Sequence, residues 1–550
     1  MKIPFQRILR GTWIVIEIAI LTALILAARC ANYQDVFVAG NVYFTDADCY
    51  ARMTRVSMCE QHPGLIVRHH DFENYPRGTT PHTTAPLDYL ILTLSILLKP
   101  FTAHATDLAG AFISPLLGLL GGWFLWWWSR RTKFRYRWIL LILYAISPIL
   151  VHATELGRPD HQSLSILLVT IAICAEWILQ SGKPGKSDAI RESRITWSAL
   201  SGISWGLAIW VSLYEPLVLF LIVIATRALQ GRHLLFAKDR RIGLLLLAAI
   251  IVFALVVERR VPPLSIFHSG ALFRNWSRSI GELAHVWPAN PIWFHWAGYM
   301  IAVAPILIWF VFRDWRAAIA AAKTSGGEHH LRPTLLLVIF ALLFATYALT
   351  IWQARWAYFF MSIFAIALPF LLAPIKSRVA VSIAFALSIV PILGDWDARL
   401  WPNETEYARR VERRNESVQL RDLAINLRSP ETHSFLAPWW ISPSIAYWSG
   451  QPGLAGSSHE SLEGIVESAR FFLAEDWETA RVILRDRKAE WILAYDSDRV
   501  AQNSATVLGV AVPRQTLCSI LDRTSAQVPR FLLFSAQNGV GKLYRVGNNR

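Results

Sequence analysis

Long apolar runs recur along most of this chain, and they limit its possible folds more than any other feature of the sequence. Hydrophobic residues make up 54% of the 550 positions, with 25 Trp and 28 Phe among them. Several runs approach the ~20 residues that a helix needs to cross a bilayer. The sequence therefore predicts a polytopic α-helical membrane protein. The net charge of +15 is typical of basic cytoplasmic loops in such a protein, so we expect no nucleic-acid partner.

Positive charge predicts the orientation of the helices, because cytoplasmic loops are enriched in Lys and Arg. The N-terminus Met1–Arg10 and the loop Ser129–Arg137 are both basic, and we place them in the cytoplasm. Further basic loops lie at 182–194, 232–241, 313–332 and 376–378. Alternating from these anchors predicts about eleven helices within residues 1–394 and a large first outer loop at 30–108.

One short apolar run, Leu87–Leu98, does not fit this alternation. Counting it as a span would place the five cations of Arg130–Arg137 outside the cell, so we interpret it as an interfacial or re-entrant helix. Residues 395–550 then form a soluble extracytoplasmic domain, attached to a multi-pass protein of the plasma membrane.

The C-terminal domain has the sequence pattern of an α/β fold. Arg470–Arg487 has helical periodicity, and Ala489–Tyr495 has the composition of a buried strand. Phe531–Ser535 and Lys542–Val546 flank a turn that contains Asn538-Gly539, which predicts a β-hairpin.

The five cysteines show no spacing typical of a thiolate metal site. Cys49 and Cys59 both lie in the predicted first outer loop, where the environment would allow them to form a disulfide.

A dense polar segment, Thr154–Gln162, lies between two apolar runs at the predicted outer surface. Charge beside a bilayer is costly and is therefore a sign of function. Asp160 and Gln162 are two residues apart, so a carboxylate and an amide oxygen can reach one cation. Such oxygens favour Mg²⁺ or Mn²⁺ over Zn²⁺. The structural alternative is a helix start with Pro159 in the turn and Asp160 as N-cap.

Three further features lie on the same predicted side of the membrane. The first outer loop contains Asp46-Ala47-Asp48, two carboxylates with the spacing of a cation site. A later loop contains Ser279-Ile280-Gly281-Glu282, and the last domain begins near the aromatic pair Trp439-Trp440. Each feature alone also has a structural explanation: a solvated turn for the acids and a packed core for the tryptophans.

In this order the features resemble those of the catalytic subunit of oligosaccharyltransferase, a GT-C membrane transferase that uses a polyprenyl-linked sugar. Asp48-Cys49-Tyr50 resembles the family's acidic residue followed by an aromatic one. Gly157–Gln162 stands in the place of G-x-x-D-H-H, and Ser279–Glu282 resembles S-V-S-E or T-I-x-E. Trp439-Trp440 partly matches W-W-D-Y-G.

The resemblance implies a role for each matched residue. Asp48, Asp160 and Gln162 would hold Mn²⁺ or Mg²⁺, and Glu282 would complete the catalytic site by contacting the metal or the acceptor. Trp439 and Trp440 would line the acceptor site together with Glu282. Arg355, at the outer end of a span, would bind the phosphate of the lipid-linked donor, since Arg forms a bidentate fork with phosphate oxygens; the alternative is an interfacial anchor. Arg158 is a second candidate for the donor phosphate. His69, His70 and Asp71 are further candidates to line the site, or else a solvated loop.

Two departures from the family pattern affect the acceptor and the metal. Gln162 replaces the last histidine of G-x-x-D-H-H, and Ile441-Ser442-Pro443 follows Trp440 where the family has an acid that binds the acceptor hydroxyl.

From the resemblance as a whole we expect transfer of a glycan from a polyprenyl phosphate or pyrophosphate carrier to an extracytoplasmic acceptor that is a protein or a glycan. The alternatives are transfer of a single sugar from polyprenyl phosphate to a lipid or cell-wall glycan, and transport of a lipid-linked glycan.

Overall fold

Helices cover every apolar run that the sequence assigned to a span. The computed structural model describes residues 3–181, 188–231, 237–263, 270–324 and 333–547, so parts of three predicted cytoplasmic loops, 182–187, 232–236 and 325–332, lie outside the described residues. The helices of the first half are α1 (Ile3–Arg29), α2 (Tyr33–Val36), α3 (Ala47–Gln61), α4 (Ala85–Leu98), α5 (Ala105–Arg131), α6 (Arg137–Ile146), α7 (Pro148–His152), α8 (His161–Ser181), α9 (Asp188–Val211), α10 (Tyr214–Gln230) and α11 (Arg241–Glu258).

The second half of the membrane region contains both long and broken helices. These are α12 (Ala271–Ser277), α13 (Ile292–Ala297), α14 (Met300–Thr324), α15 (Pro333–Trp352), α16 (Ala357–Leu371), α17 (Arg378–Ser388) and α18 (Val390–Leu400). A two-stranded ribbon, β1 (Phe37–Val38) with β2 (Asn41–Val42), lies in the first predicted outer loop.

Five helical stretches among the described residues are long and apolar enough to cross a membrane: Gly11–Arg29, Ala105–Arg131, His161–Gln180, Lys238–Glu258 and Ala354–Leu371. The pair α17 and α18, bent by 43° at one break, raises this number to six. The chain is thus a multi-pass helical membrane protein. The predicted number of about eleven spans stays a prediction, because several of the remaining runs are short or are interrupted, as at Ser147 between α6 and α7.

Helix α3 explains why one predicted disulfide is wrong. Asp46 caps this helix, since its carboxylate accepts a hydrogen bond from the Cys49 backbone at 3.0 Å. Cys49 and Cys59 are both buried in α3 and both are free thiols. At 1.5 Å per residue they lie roughly 15 Å apart along the axis, beyond the reach of a disulfide.

The short helix α4 packs on its neighbours α3 and α5 through Leu87 and Ile91, both buried. With 14 residues it is shorter than a membrane span requires. Its assignment as an interfacial or re-entrant helix stays a prediction.

The C-terminal domain is α/β, as the sequence predicted. Its sheet has the order β3-β4-β6-β5. The strands β3 and β4 are parallel and the other pairs are antiparallel. The strands are β3 (Phe435–Leu436), β4 (Trp491–Tyr495), β5 (Leu532–Gln537) and β6 (Gly541–Val546), and the helices are α19 (Glu404–Ile425), α20 (Ser442–Ser449), α21 (Leu462–Leu473), α22 (Trp477–Asp486), α23 (Ser497–Leu508) and α24 (Leu517–Arg523).

Two local predictions for this domain have different outcomes. The hairpin is confirmed, because Asn538 closes the turn between β5 and β6 by accepting hydrogen bonds from the Val540 and Gly541 backbones. The helical periodicity over 470–487 belongs to two helices, because the chain breaks after α21 and Asp476 caps the start of α22 by accepting from the Thr479 backbone at 2.7 Å.

The C-terminal domain rests directly on the first predicted outer loop, and this contact positions the site. The ring of Trp448 lies 5.1 Å from that of Tyr50 on α3. Asn74 in the loop accepts a hydrogen bond from the fully buried Arg487. Glu73 accepts another from the backbone of Ser457 at 3.2 Å. Ser457 and the residues after it are thereby held beside the first turn of α3.

Candidate active site

The first turn of α3 presents Asp48 to the interior of the protein. The Asp48 side chain touches solvent inside the cavities described below, while protein atoms surround it. This partial desolvation raises the pKa of Asp48, and the nearby carboxylates of Asp46, Asp160 and Glu282 raise it further. A hydrogen bond with the Ser457 side chain acts in the opposite direction. Asp48 therefore sits in an excess of negative charge.

The loop between α7 and α8 is fixed to the segment that precedes α3. Gly157 has φ +76°, and a Cβ atom there would lie 2.7 Å from the Val36 side chain. Its carbonyl accepts a hydrogen bond from the Thr45 backbone at 3.0 Å. This close approach brings Asp160, three residues further along, beside Asp48, so the two motifs that the sequence separates by more than a hundred residues share one site.

Asp160 is compensated by cations. Its carboxylate lies 2.7 Å from both the His161 backbone nitrogen and the His161 ring. Burial raises the pKa of Asp160, but His161, Arg52 and Arg158 outweigh it, so the pKa lies well below its usual range. Asp160 lies directly before α8, which begins at His161, as a helix cap would. Its carboxylate accepts a hydrogen bond from the backbone of His161 itself, the first residue of the helix.

Glu282 lies in a short 3₁₀ turn, Gly281–Leu283, and two side chains hold its carboxylate. Gln162 Nε2 donates to one oxygen at 2.8 Å, and the Tyr358 hydroxyl donates to the other at 3.1 Å. Burial and the charge of Asp160 raise the pKa of Glu282, while Arg355 and Arg158 lower it. Glu282 thus shares the electrostatic field of Asp48 and Asp160.

Two cavities meet at these carboxylates. The first, which we call the histidine pocket, contains His82, His161 and His459 together with Asp160, Gln162 and Tyr214. The second, which we call the wide cleft, has a volume of about 850 Å³ and contains Arg158, Tyr358 and Trp440. Five residues line both cavities: Asp48, Ile280, Glu282, Arg355 and Ser457.

The two predicted phosphate-binding arginines lie in different surroundings. Arg355 lines both cavities and forms an ion pair with Glu215 at the start of α10. Arg158 lines the wide cleft, and its guanidinium lies 2.9 Å from Asp46 and 3.3 Å from Glu155.

The predicted acceptor tryptophans both reach the wide cleft. Trp439 donates to the Asn503 side chain at 2.6 Å, which fixes its ring. The Trp440 indole nitrogen is buried and has no hydrogen-bond partner among the described residues. Residues 69–71, in contrast, line neither cavity, and His70 is buried in a stack with Phe72.

Several residues of the site were not found from the sequence. His82 lies after the predicted cation motif, and Glu460 of the C-terminal domain contacts its Nδ1 atom at 2.5 Å. In the part of the chain that the structure describes, His82, His459 and Glu460 present ligand atoms within 4.8 Å of one another, close enough to hold a metal ion. Ser457 and Tyr358 also line the wide cleft. The sequence does not reveal them, because neither belongs to a local motif and only the fold brings them to the site.

The residues predicted to hold a cation have the chemistry for it. Asp48, Asp160 and Gln162 all line the histidine pocket. The Gln162 side-chain oxygen is buried and makes no hydrogen bond to any described residue. The carboxylates around Asp48 raise its pKa, and a divalent cation would relieve their mutual repulsion. The oxygen donors fit a hard divalent ion.

No protein-family model and no curated protein matches the sequence, but solved structures do. The Archaeoglobus fulgidus oligosaccharyltransferase tethered with an acceptor peptide containing the NVT sequon is 15% identical, with a TM-score of 0.67 over 98% of this chain and 74% of that one. The same enzyme in complex with Zn and sulfate is 16% identical, with a TM-score of 0.64 over 96% and 73% of the two chains.

A second kind of enzyme also matches. ArnT from Cupriavidus metallidurans bound to undecaprenyl phosphate is 13% identical, with a TM-score of 0.57 over 97% of this chain and 98% of that one. The chain therefore has the GT-C fold of the oligosaccharyltransferase and ArnT structures, as the sequence resemblance predicted.

Proposed function

We propose that this protein is a membrane glycosyltransferase that moves a glycan from a polyprenyl phosphate or pyrophosphate carrier to an acceptor outside the cytoplasm. One observation carries the proposal: Asp48 and Glu282 lie where two cavities meet, with Asp160 beside them. A transferase needs two substrates to meet at one reacting centre, and this arrangement offers one cavity for each substrate beside the shared carboxylates.

The histidine pocket is the better site for the donor. It contains Arg355 with His82 and His161, and these side chains can donate hydrogen bonds to phosphate oxygens. The pairing of Arg355 with Glu215 holds the guanidinium in place. Arg158 lies in the wide cleft and is already paired with two acids, so we assign the donor phosphate to Arg355 and not to Arg158.

The wide cleft is the better site for the acceptor. Trp440 offers an aromatic wall and a free indole N–H, and Glu282 reaches the cleft from the carboxylate cluster. Glu282 orients the acceptor nucleophile by accepting its hydrogen bond, and the raised pKa of Glu282 suits it to take the proton. The bond from the sugar to the carrier phosphate breaks, the bond from the sugar to the acceptor forms, and the lipid phosphate leaves. No covalent enzyme intermediate is needed.

We assign Asp48, Asp160 and Gln162 to a divalent cation, Mn²⁺ or Mg²⁺. When bound, such an ion stabilises the negative charge that develops on the departing phosphate. The three side chains would hold it in the histidine pocket, which all three line. His161 and the cations near Asp160 keep that carboxylate ionised, as a metal ligand must be.

The proposal is tested with purified protein in proteoliposomes that contain a labelled lipid-linked glycan. A transferase releases the glycan from its lipid, whereas a transporter moves the intact lipid to the other leaflet. We expect release that requires Asp48 and is lost in Asp48→Asn. Movement of the intact lipid without release would contradict the proposal and support the transporter alternative.

One observation favours a second candidate, transfer of a single sugar from polyprenyl phosphate to a lipid or cell-wall glycan. The carboxylates that line the wide cleft are Asp46, Asp48 and Glu282 among the described residues, and none of them follows Trp440. An acceptor hydroxyl therefore lacks the acid that the oligosaccharyltransferase motif would supply there.

A further inference from the structure

A second group of charged side chains lies inside the helical bundle, near the end of α8 that is remote from the candidate active site. Glu176 lies roughly 22 Å along the helix axis from His161, the first residue of α8. Arg227 on α10 and Arg240, directly before α11, both pair with Glu176. Glu176 and Arg227 are buried. Charges inside a membrane bundle are costly unless they are compensated, so the balance of charge in this group matters.

Arg240 takes up both oxygens of the Glu176 carboxylate. Its two terminal nitrogens donate at 2.7 and 2.8 Å, one to each oxygen, and the Ser201 hydroxyl donates to the first oxygen at 2.7 Å. Arg227 Nη1 lies 3.7 Å from the second oxygen, beyond hydrogen-bonding distance. The bidentate pair neutralises Glu176, and Arg227 is left as a surplus positive charge.

The neighbouring charges do not remove this surplus. Asp239 also acts on Arg227, but it is itself paired with Arg194 at 2.5 Å. The acids that act on Arg227 are Glu176 and Asp239, and the cations are Arg194 and Arg240. With Arg227 included, three cations face two anions, so the group has a net charge of +1.

A small cavity lies among these side chains, and we call it the arginine cavity. Glu176, Arg227 and Arg240 line it together with Trp205 on α9, and its volume is about 30 Å³. Four buried nitrogen atoms of these side chains make no hydrogen bond to any described residue: Nε and Nη1 of Arg227, Nε of Arg240 and Nε1 of Trp205. All four are donors, so the partner that suits them is an acceptor.

We propose that the arginine cavity binds one small monovalent anion such as chloride. A halide accepts several hydrogen bonds at once, and its charge balances that of Arg227. Water is uncharged and needs acceptors for its own hydrogens as well as donors. A volume of about 30 Å³ has room for roughly two water-sized particles, which suits a single-atom anion and not a phosphate with four oxygens. Because α8, α9, α10 and the turn before α11 all contribute to the lining, the anion joins four helices.

The test compares chloride with gluconate, an anion too large for the arginine cavity. Full-length protein in detergent is heated in sodium chloride or in sodium gluconate at equal ionic strength, and its unfolding temperature is recorded. A ligand stabilises the folded state that binds it, so we expect the unfolding temperature to be higher in chloride by about 2 °C or more. Bromide should replace chloride, and its anomalous scattering in crystals should give a peak between Arg227 and Trp205.

Arg227→Met separates anion binding from a structural pair with Glu176. It removes the surplus charge and its donors but keeps a long side chain. The response to chloride should therefore be lost, while the unfolding temperature in gluconate stays close to that of the unchanged protein. Trp205→Phe keeps every charge and should lower the chloride affinity roughly tenfold or more, the size of one hydrogen bond to a charged group. This second variant keeps the test available if Arg227→Met fails to fold.

Arg313→Met is the matched control, because it removes an exposed arginine on α14 that lies on the same predicted side of the membrane and does not line the cavity. Its response to chloride should equal that of the unchanged protein. Equal unfolding temperatures of the unchanged protein in the two salts would overturn the inference, as would an undiminished response to chloride in Arg227→Met. If Arg227→Met were less stable in both salts by the same amount, Arg227 would be only a structural partner of Glu176. Glycan release in proteoliposomes tests the proposed function separately, since this inference does not depend on it.

Discussion

Replacing Tyr358 with Phe removes one hydroxyl group from the carboxylate that we place next to the acceptor. That hydroxyl donates to Glu282 at 3.1 Å and also lies 3.0 Å from His152 Nδ1. A hydrogen bond to a charged group contributes ~1.5–3 kcal/mol, and each 1.36 kcal/mol corresponds to about tenfold in rate. If Glu282 must be held to orient the acceptor, Tyr358→Phe should lower the transfer rate roughly ten- to 150-fold.

The assay is release of glycan from a labelled lipid-linked donor at saturating acceptor, with thermal unfolding measured in parallel. The unfolding temperature should change little, because the aromatic ring stays in its packing. Tyr347→Phe is the control: Tyr347 packs against Trp293 and Phe360, and its hydroxyl donates no hydrogen bond to a described residue. Equal activity in Tyr358→Phe and Tyr347→Phe would refute the role given to Glu282. A large loss of stability in Tyr358→Phe would instead show that the bond is structural.

Four further predictions follow from the same site. Asp48→Asn and Asp160→Asn should each lower the transfer rate ~10²-fold or more. Asp46→Asn should lower the rate less, because the Asp46 carboxylate is already engaged as a helix cap and by Arg158, and Asn can also cap a helix. A greater loss of rate in Asp46→Asn would contradict the assignment. Removing divalent ions with EDTA should abolish transfer and Mn²⁺ or Mg²⁺ should restore it, so full activity in EDTA would exclude the metal. A single cysteine in 395–550 should react with an impermeant reagent added outside, and labelling there from the cytoplasm alone would invert the topology. A fluorescent N-x-T peptide should be glycosylated no better than its N-x-A partner, and strong preference for the first would restore a sequon-specific enzyme.

The sequence predicts the carboxylate cluster because each part of it lies in a short local pattern. Asp48, Asp160 and Glu282 each belong to a polar motif of a few residues beside an apolar run. Charge bias then assigns those motifs to one side of the membrane, although nothing local states that they touch. The structure brings them together through a backbone contact, the hydrogen bond from Thr45 to Gly157. That contact depends on Gly157, because a side chain at this position would collide with Val36. Gly157 belongs to the polar motif of Asp160, whereas Thr45 and Val36 come from a distant segment.

The rest of the site could not be read from the sequence, because it depends on contacts between distant segments. Glu460 reaches His82 across 378 positions, and Gln162 reaches Glu282 across 120. Single polar residues such as Ser457 and Tyr358 have no periodicity or spacing that separates them from ordinary surface or core positions. The break between α21 and α22 is missed for a different, local reason. The helical periodicity continues across Asp476, although this residue caps the start of α22.

The amide side chain of Gln162 bears on how the site is assembled. An amide has donors on one atom and an acceptor on the other, so Gln162 can bind two partners of opposite kind at once. Its nitrogen is used by Glu282 and its oxygen is left without a hydrogen bond to any described residue. We infer that this side chain links the cation to the residue that orients the acceptor. A cation held by Asp48, Asp160 and the Gln162 oxygen would restrict the Gln162 side chain, whose nitrogen donates to Glu282 at the wide cleft. Acceptor positioning by Glu282 should therefore depend on the divalent ion.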